Sequence, residues 1–270
     1  MNSKIRKFLE KHPIMGMAVL YILSFFLIQY GGLYVDSLIV KYVWSSYPGY
    51  IVSIAVSFLL LWYFKRIFYP DYDGSLHTKG ILKGILLMWP YCLLMVLSVF
   101  HFNADNFLWS SLFTALWAGI NEDIIFRGIP VAFLTYHYKE AKHIPIIALV
   151  TGLVFGGIHL FNIFVGGSIY GTILQTVSAV CLGMLFAAVF MRTGTLWPPI
   201  IIHAVNDFLI FMTSDSGDAA SGTVDAVFSF GNLFSSLAIY LFYALIAIFL
   251  MRPKKRGEIV MLWDKKWNRI

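Results

Sequence analysis

The chain has 270 residues, of which 59% are hydrophobic and 17% aromatic, and its mean hydropathy is +0.77. Only 13% of the residues are charged, too few to cover a soluble protein of this size. The net charge of +6 is attributed to cytoplasmic loops that contact anionic lipid headgroups, and no nucleic-acid partner is expected. These features exclude a soluble protein and predict a multi-pass protein of the cell membrane.

Eight apolar segments follow one another along the chain. Each approaches the roughly 20 residues that a helix needs to cross the hydrocarbon core of a bilayer. In chain order, the predicted spans are residues 15–35, 50–64, 81–100, 108–126, 144–160, 169–191, 196–212 and 233–251. They predict an all-α fold, a bundle of about eight transmembrane helices that forms a single membrane domain over residues 1–270.

The distribution of basic residues predicts the topology of these spans. If the N-terminus is cytoplasmic, every Lys and Arg except Lys41 falls on the inner side of the membrane. Cytoplasmic loops carry such an excess of Lys and Arg. An odd number of spans would break this pattern, so we expect both termini to be cytoplasmic.

Ionisable side chains inside the predicted spans need an explanation, because a central charge costs about 2.5–3.5 kcal/mol on insertion scales. The first three spans contain almost no charged residue and are interpreted as scaffold. The candidates all lie within residues 108–212, which we therefore expect to hold the functional helices. They are Glu122, Asp123, Arg127, His159, His203 and Asp207.

The segment INEDIIFRG holds two acids and an arginine. On a helix, Asp123 and Arg127 are four residues apart and share a face, whereas Glu122 is rotated by about 100° from Asp123. Arg127 can therefore neutralise Asp123 and leave Glu122 without a countercharge in its own segment. A carboxylate in such apolar surroundings is a candidate general base. The alternative is that all three residues form a structural clasp between helices.

The segment FGGIH brings Phe155 and His159 onto one helical face. Gly156 and Gly157 remove bulk beside them and permit close approach by another helix or by a substrate. A lone histidine within a membrane helix is often only a helix–helix hydrogen bonder, and that interpretation stays open for His159.

The segment HAVND places His203 and Asp207 four residues apart, so Asp207 is expected to orient the imidazole and fix its tautomer. Asn206 lies on the neighbouring face and can supply an amide donor. A purely structural His–Asp pair is the alternative. Together, the three segments supply a free acid, two histidines and hydrogen-bond donors, which suffice to activate a water and to stabilise an oxyanion.

The depths of these residues in the membrane do not agree at first sight. Glu122 and His203 are predicted near the inner side, whereas His159 is predicted near the outer end of its span. Two arrangements would bring them level: a fourth helix that continues past Pro130 to Tyr138, or a fifth span displaced relative to the membrane. The sequence leaves both open.

In order and spacing, the three segments resemble the CAAX-protease and bacteriocin-processing superfamily of intramembrane endopeptidases, which includes the type II CAAX prenyl proteases and the bacterial Abi-type proteins. The shared pattern consists of Glu122 and Asp123 with Arg127 and Gly128, then Phe155 with His159, then His203 with Asp207. It covers roughly residues 108–212. Each motif is short, and their joint order within successive spans carries the resemblance.

The resemblance implies a role for each matched residue. Glu122 and His159 would activate the attacking water, and His203 and Asp207 would bind the oxyanion of the tetrahedral intermediate. Asp123 and Arg127 would be supporting residues, to which Phe155 and Asn206 are added. The substrate would be a membrane-associated protein or peptide, cleaved in CAAX-like processing, in peptide maturation or in bacteriocin immunity.

Two positions depart from the usual family pattern. The second acid is usually Glu and is Asp123 here, one methylene shorter but still able to reach Arg127. Asp207 stands where Asn also occurs in the family, and an ionised Asp207 would repel an oxyanion. Asp207 must therefore be protonated, or must hold His203 as an imidazolium that does the stabilising.

Many family members are described as metalloproteases, so zinc is a possible cofactor. Its ligands would be Glu122, His159 and His203, which would have to converge from three separate helices. The chain contains no His-Glu-x-x-His motif, so a glutamate-type mechanism without a cofactor is expected.

Two other classes of function compete with a protease. Intramembrane acids and histidines also build the proton relays of proton-coupled transporters, although no inverted repeat with broken helices is evident. A non-catalytic membrane immunity or scaffold protein is the third class. The sequence leaves the substrate and the oligomeric state undetermined.

Overall fold

The structure, a computed structural model, describes residues 7–8, 10–43, 47–102, 105, 107, 109–213 and 228–270. Within these ranges the regular elements are all helical, which confirms the predicted all-α, polytopic membrane fold. The predicted start of the fourth span at Leu108 lies outside the described residues, as do residues 1–6 at the N-terminus.

Eleven α-helices in the described ranges position the candidate site. Their bounds are α1 Pro13–Val43, α2 Tyr47–Tyr63, α3 Ile81–Leu87, α4 Trp89–Ser98, α5 Trp109–Asp123, α6 Ile129–His137, α7 Ile144–Ile158, α8 Ile169–Thr193, α9 Trp197–Thr213, α10 Phe230–Leu250 and α11 Pro253–Lys266.

Each of the eight apolar segments coincides with one or two of these helices. Among the described residues, four helical stretches are long and apolar enough by themselves to cross a membrane: Pro48–Arg66, Ala141–Phe164, Ile169–Thr193 and Phe230–Leu250. Large apolar side chains on α10, including Phe234, Leu241 and Ile248, are exposed, as expected of a helix that faces lipid. The total of eight crossings and the side of each terminus stay predictions.

The third predicted span is divided into α3 and α4 at Met88, whose backbone leaves the helical region at φ −96° and ψ 10°. Pro90 stands in the first turn of α4. Its backbone nitrogen has no hydrogen to donate to the bond that a continuous helix would need there, and its ring clashes with the preceding turn. The break lies just before Tyr91, a residue that contacts the candidate site.

Glycines allow close packing of the helices that carry the site residues. A Cβ atom at Gly119 on α5 would lie 2.8 Å from the backbone nitrogen of Ala204 on α9. A Cβ atom at Gly156 on α7 would lie 2.7 Å from the carbonyl oxygen of Thr176 on α8. Gly157 faces open space, with no atom within 4 Å of such a Cβ. Of the two glycines in FGGIH, Gly156 therefore packs against a helix and Gly157 does not.

The C-terminal helix α11 packs on the loop between α2 and α3. Trp267 stacks on Tyr72 with ring centroids 4.3 Å apart, and Trp263 donates from Nε1 to the carbonyl of Met191 over 3.0 Å. The ammonium group of Lys266 donates to the carbonyl of Gly74. This end of the chain is thus an integral part of the fold.

Candidate active site

Glu122 and Asp123 are the last two residues of α5, and a π-helical turn, Ile124–Gly128, joins that helix to α6. Pro130 in the first turn of α6 has no N–H to donate to the carbonyl of Phe126, four residues earlier. The hydroxyl of Tyr21 on α1 donates to that carbonyl over 3.3 Å. π-Helical turns within α-helices occur often at functional sites, and this one follows directly on the two acids.

Asp123 and Arg127 form the ion pair that their spacing predicts. Arg127 Nη1 lies 3.0 Å from Asp123 Oδ1, and both side chains are fully buried. The guanidinium also lies over the ring of Phe155, 4.1 Å from its centroid, and over that of Phe186 at 5.2 Å. Aromatic faces stabilise a desolvated cation, so the charge of Arg127 is balanced within the protein interior.

His203 on α9 lies between three carboxylates and is 7% exposed. Its Nδ1 atom is hydrogen-bonded to Asp123 Oδ2 over 3.0 Å. On the opposite edge, Nε2 lies 3.7 Å from Glu122 Oε2 and 3.7 Å from Asp207 Oδ2. The predicted pairing of His203 with Asp207 is therefore present at ion-pair distance. The hydrogen bond to the imidazole, however, is made by Asp123, because Nδ1 points across to α5 while Asp207 lies one turn further along α9.

Glu122 and Asp207 are the more accessible of the acids. Their side chains are 23% and 21% exposed, whereas Asp123 is fully buried. The basic group nearest to Glu122 on this edge, His203, comes from a different helix, α9. Two partly exposed carboxylates therefore flank one nitrogen of a histidine at a position that a small polar molecule can approach.

His159 follows the last residue of α7 and begins a 3₁₀ stretch, His159–Val165. Because the backbone tightens there, the N–H of His159 bonds to Gly156 and Gly157, and its imidazole Nδ1 donates to the carbonyl of Phe155 over 2.9 Å. This bond leaves the lone pair on Nε2. In that tautomer the ring can accept a proton from a bound water.

The ring of Phe155 connects the two histidines. Its centroid lies 5.0 Å from that of His159 and 6.0 Å from that of His203. The helical path continues past Pro130 through α6 to His137, as the first of the two predicted arrangements requires. Phe155 thus contacts both histidines and the guanidinium of Arg127.

Asn206 is hydrogen-bonded on both sides. Its Nδ2 donates to Asp207 Oδ1 over 3.2 Å, and its Oδ1 accepts from the hydroxyl of Tyr91 on α4 over 2.7 Å. The amide donor predicted for Asn206 is therefore present, and its acceptor is Asp207.

Sequence reasoning missed three hydroxyl groups from the first three predicted spans. Tyr21 donates to Phe126, and Tyr91 donates to Asn206. Ser57 on α2 donates to Asn121 Oδ1 over 2.7 Å, one residue before Glu122. Phenol and hydroxyl side chains are common in apolar helices, so no pattern in the sequence distinguishes these three. The segments interpreted as scaffold do support the site, and one of them, through Tyr91, reaches a site residue.

The donor atoms of the site decide whether a metal ion would fit. Both histidines use Nδ1 for a hydrogen bond, His203 to Asp123 and His159 to the carbonyl of Phe155. Across the described part of the chain, no three His, Cys, Asp or Glu side chains are grouped so that they could hold a metal. These Nδ1 bonds leave Nε2 of each histidine as its possible metal donor, as in known metal sites. Because the described side chains are not grouped as a metal site, no chemical step is derived through zinc.

The helical membrane fold and the acid–histidine cluster define the class of protein to which this chain belongs, a polytopic membrane protein with a buried cluster of ionisable side chains. Residues 104–209 match the family model described as Type II CAAX prenyl endopeptidase Rce1-like. This matched segment holds all three motifs, and the match supports a CAAX-type intramembrane protease at the level of the family. Neither the curated proteins nor the solved structures include a significant match.

Proposed function

We propose that this protein is an intramembrane endopeptidase that hydrolyses a peptide bond in a membrane-associated protein or peptide. The main support for the proposal is the position of His203 Nε2, 3.7 Å from both Glu122 and Asp207, within the segment that matches the protease family. The family match supports the protease class, and the geometry suggests which residue carries out each step of the reaction.

In the proposed reaction, Glu122 and His159 activate a water molecule. One of them accepts a proton while the water oxygen attacks the carbonyl carbon of the scissile bond. The exposed fraction of Glu122 gives water a route to its carboxylate, and the lone pair on His159 Nε2 provides a second acceptor. The proton then passes to the leaving amine as the C–N bond breaks.

The oxyanion of the tetrahedral intermediate is assigned to His203. With Nδ1 bonded to Asp123, a protonated ring can donate from Nε2 to a developing negative charge. Asp207 lies 3.7 Å from that same nitrogen, so its charge can hold the ring as an imidazolium. This division favours the imidazolium alternative over a protonated Asp207.

For the biology, we propose that the protein acts in the cell membrane and cleaves its substrate in CAAX-like processing, in peptide maturation or in bacteriocin immunity. The exposed apolar surface of α10 supports a place for the enzyme in the bilayer, and the family match supports a membrane-associated substrate. No cofactor is assigned, and zinc dependence is tested in the same experiment as cleavage.

The test is cleavage by purified protein in liposomes, with membrane-associated peptides that include a farnesylated C-terminal peptide and products followed by mass spectrometry. Glu122→Gln should lower the rate at least about 100-fold, the usual minimum for loss of a general base. The matched control is Glu140→Gln, because the side chain of Glu140 is 65% exposed and pairs with the nearby Lys142 on the protein surface.

Four results of this assay lead to different conclusions. Cleavage lost in Glu122→Gln and kept in Glu140→Gln supports the endopeptidase. Cleavage equal in both variants would show that Glu122 is not the base. Survival of cleavage with a zinc chelator would favour glutamate chemistry, whereas loss that added zinc restores would establish a metal enzyme and overturn the glutamate mechanism.

A further inference from the structure

A line of hydrogen bonds runs from α4 to the candidate site. Tyr91 is 1% exposed, and its hydroxyl donates to Asn206 Oδ1 over 2.7 Å. Asn206 Nδ2 then donates to Asp207 Oδ1 over 3.2 Å. The second oxygen of that carboxylate, Oδ2, lies 3.7 Å from Nε2 of His203. Tyr91, Asn206 and Asp207 together form what we call the Tyr91 line.

The direction of these bonds follows from the carboxylate of Asp207, which can only accept when it is ionised. An asparagine amide has an acceptor end and a donor end. Because the NH₂ group points at Asp207, the amide oxygen is left to accept from the hydroxyl of Tyr91. If the amide turned over, its oxygen would face the carboxylate and repel it. The carboxylate therefore selects the amide orientation, and the phenol stabilises it by donating to the amide oxygen, which holds one oxygen of Asp207 and leaves the other beside His203.

We propose that Tyr91 is a positioning residue for this site: through Asn206 it fixes the carboxylate of Asp207 beside His203. This inference rests on the proposed function, because it assigns Tyr91 a part in the same reaction. Tyr91 lies outside residues 104–209, the segment that matches the protease family. Helix α4 therefore contributes to the site as well as to the scaffold.

Ring packing alone is the competing explanation for Tyr91. Its ring makes edge contacts with Phe186 at 6.1 Å and with Tyr243 at 5.0 Å between centroids. It also lines a cavity of about 330 Å³ together with Asn206 and Tyr243. A phenylalanine keeps these ring contacts and loses only the hydroxyl, so Tyr91→Phe separates positioning from packing.

The experiment compares Tyr91→Phe with Tyr243→Phe in the liposome cleavage assay. Tyr243→Phe makes the same chemical change on the same cavity wall but lies outside the Tyr91 line. We expect Tyr91→Phe to lower kcat about 10-fold, in the range seen when a supporting hydrogen-bond partner is removed from an active site, with KM unchanged. Tyr243→Phe should keep both constants within about twofold, a change too small to reflect loss of a specific partner.

A double-mutant cycle with Asn206→Ala tests the connection itself. If Tyr91 acts through Asn206, the double variant should have the same kcat as Asn206→Ala alone, because the amide that the phenol stabilises is gone. The inference would be overturned by any of three results. The losses in kcat of the two single variants could multiply in the double variant, Tyr91→Phe could have the same kcat as Tyr243→Phe, or Tyr91→Phe could change only KM.

The two proposals fail in different ways. If Glu122→Gln cleaves the peptide as fast as the wild type does, the proposed function fails before Tyr91 is considered. If Glu122→Gln is inactive and Tyr91→Phe is indistinguishable from its control, only the inference about Tyr91 fails. Melting temperatures of all variants in detergent show whether any lost rate reflects lost folding.

Discussion

Asp123 on α5 and His203 on α9 are joined by a 3.0 Å hydrogen bond between Oδ2 and Nδ1, although 80 residues separate them in the chain. The same carboxylate pairs with Arg127 through its other oxygen. One buried acid thus connects the helix that carries Glu122 to the helix that carries Asp207. The guanidinium of Arg127 balances the charge of Asp123, and the imidazole of His203 is hydrogen-bonded to it. Asp123 therefore holds the site together, and it is more deeply buried than Glu122 and Asp207.

The Asp123–Arg127 pair gives the first prediction. Asp123→Asn leaves a fully buried guanidinium without its carboxylate, which should destabilise the protein by about 3–5 kcal/mol. Adding Arg127→Met removes that unpaired charge, so the double variant should unfold at a higher temperature than Asp123→Asn alone. Thermal unfolding in detergent measures the difference. Additive losses in the double variant would show that the two charges are not coupled.

The two adjacent glycines of FGGIH give a second prediction. Gly156→Ala should destabilise the protein by about 1–3 kcal/mol, the usual cost of overpacking, because its Cβ would lie 2.7 Å from the carbonyl oxygen of Thr176. Gly157→Ala is the matched control, since nothing lies within 4 Å of its Cβ and alanine favours the helix. Equal melting temperatures for the two variants would contradict the close packing of α7 on α8.

Lys266 gives a prediction about pH. Burial lowers the pKa of its ammonium group from the ordinary value of 10.5 to about 8, against the opposing effect of Asp73. Between about pH 8 and 10.5 the unfolded protein therefore binds more protons than the folded protein. The free energy of unfolding should rise with pH across this window, by up to about 3 kcal/mol for such a shift.

This contribution is measured as a difference between variants. Melting temperatures of the wild type and of Lys266→Met are compared from about pH 7 to 10, a range that spans the lowered pKa, and the wild type should gain relative to the variant as the pH rises. Lys265→Met, which changes the exposed neighbouring lysine, should follow the wild type. A constant difference between the wild type and Lys266→Met over this range would show that Lys266 titrates normally in the folded protein.

Part of this site could be predicted from local spacing. Helical periodicity predicted the Asp123–Arg127 pair, because four residues make about one turn of a helix. It also separated Glu122 from Asp123, and the structure leaves the first partly exposed and the second buried. Both results depend only on residues within one short segment.

The rest depends on contacts between distant segments. The bond from Asp123 to His203 requires the register of α5 against α9, which Gly119 permits through its contact with Ala204. Spacing instead favoured Asp207 as the partner of His203, since it lies one turn away on the same helix. The support from Tyr91 has no local pattern at all, because a phenol in an apolar helix usually needs no explanation.

The proposed activation of one water by two side chains is best tested by the rates of peptide cleavage by Glu122→Gln, by His159→Asn and by the variant that carries both. Asparagine can still donate to the carbonyl of Phe155 but cannot accept a proton as the imidazole does. If both side chains activate one water, each single change should lower kcat at least about 100-fold, and the double change should lower it little further. Wild-type rates in either single variant, or losses that multiply in the double variant, would contradict a shared water between Glu122 and His159.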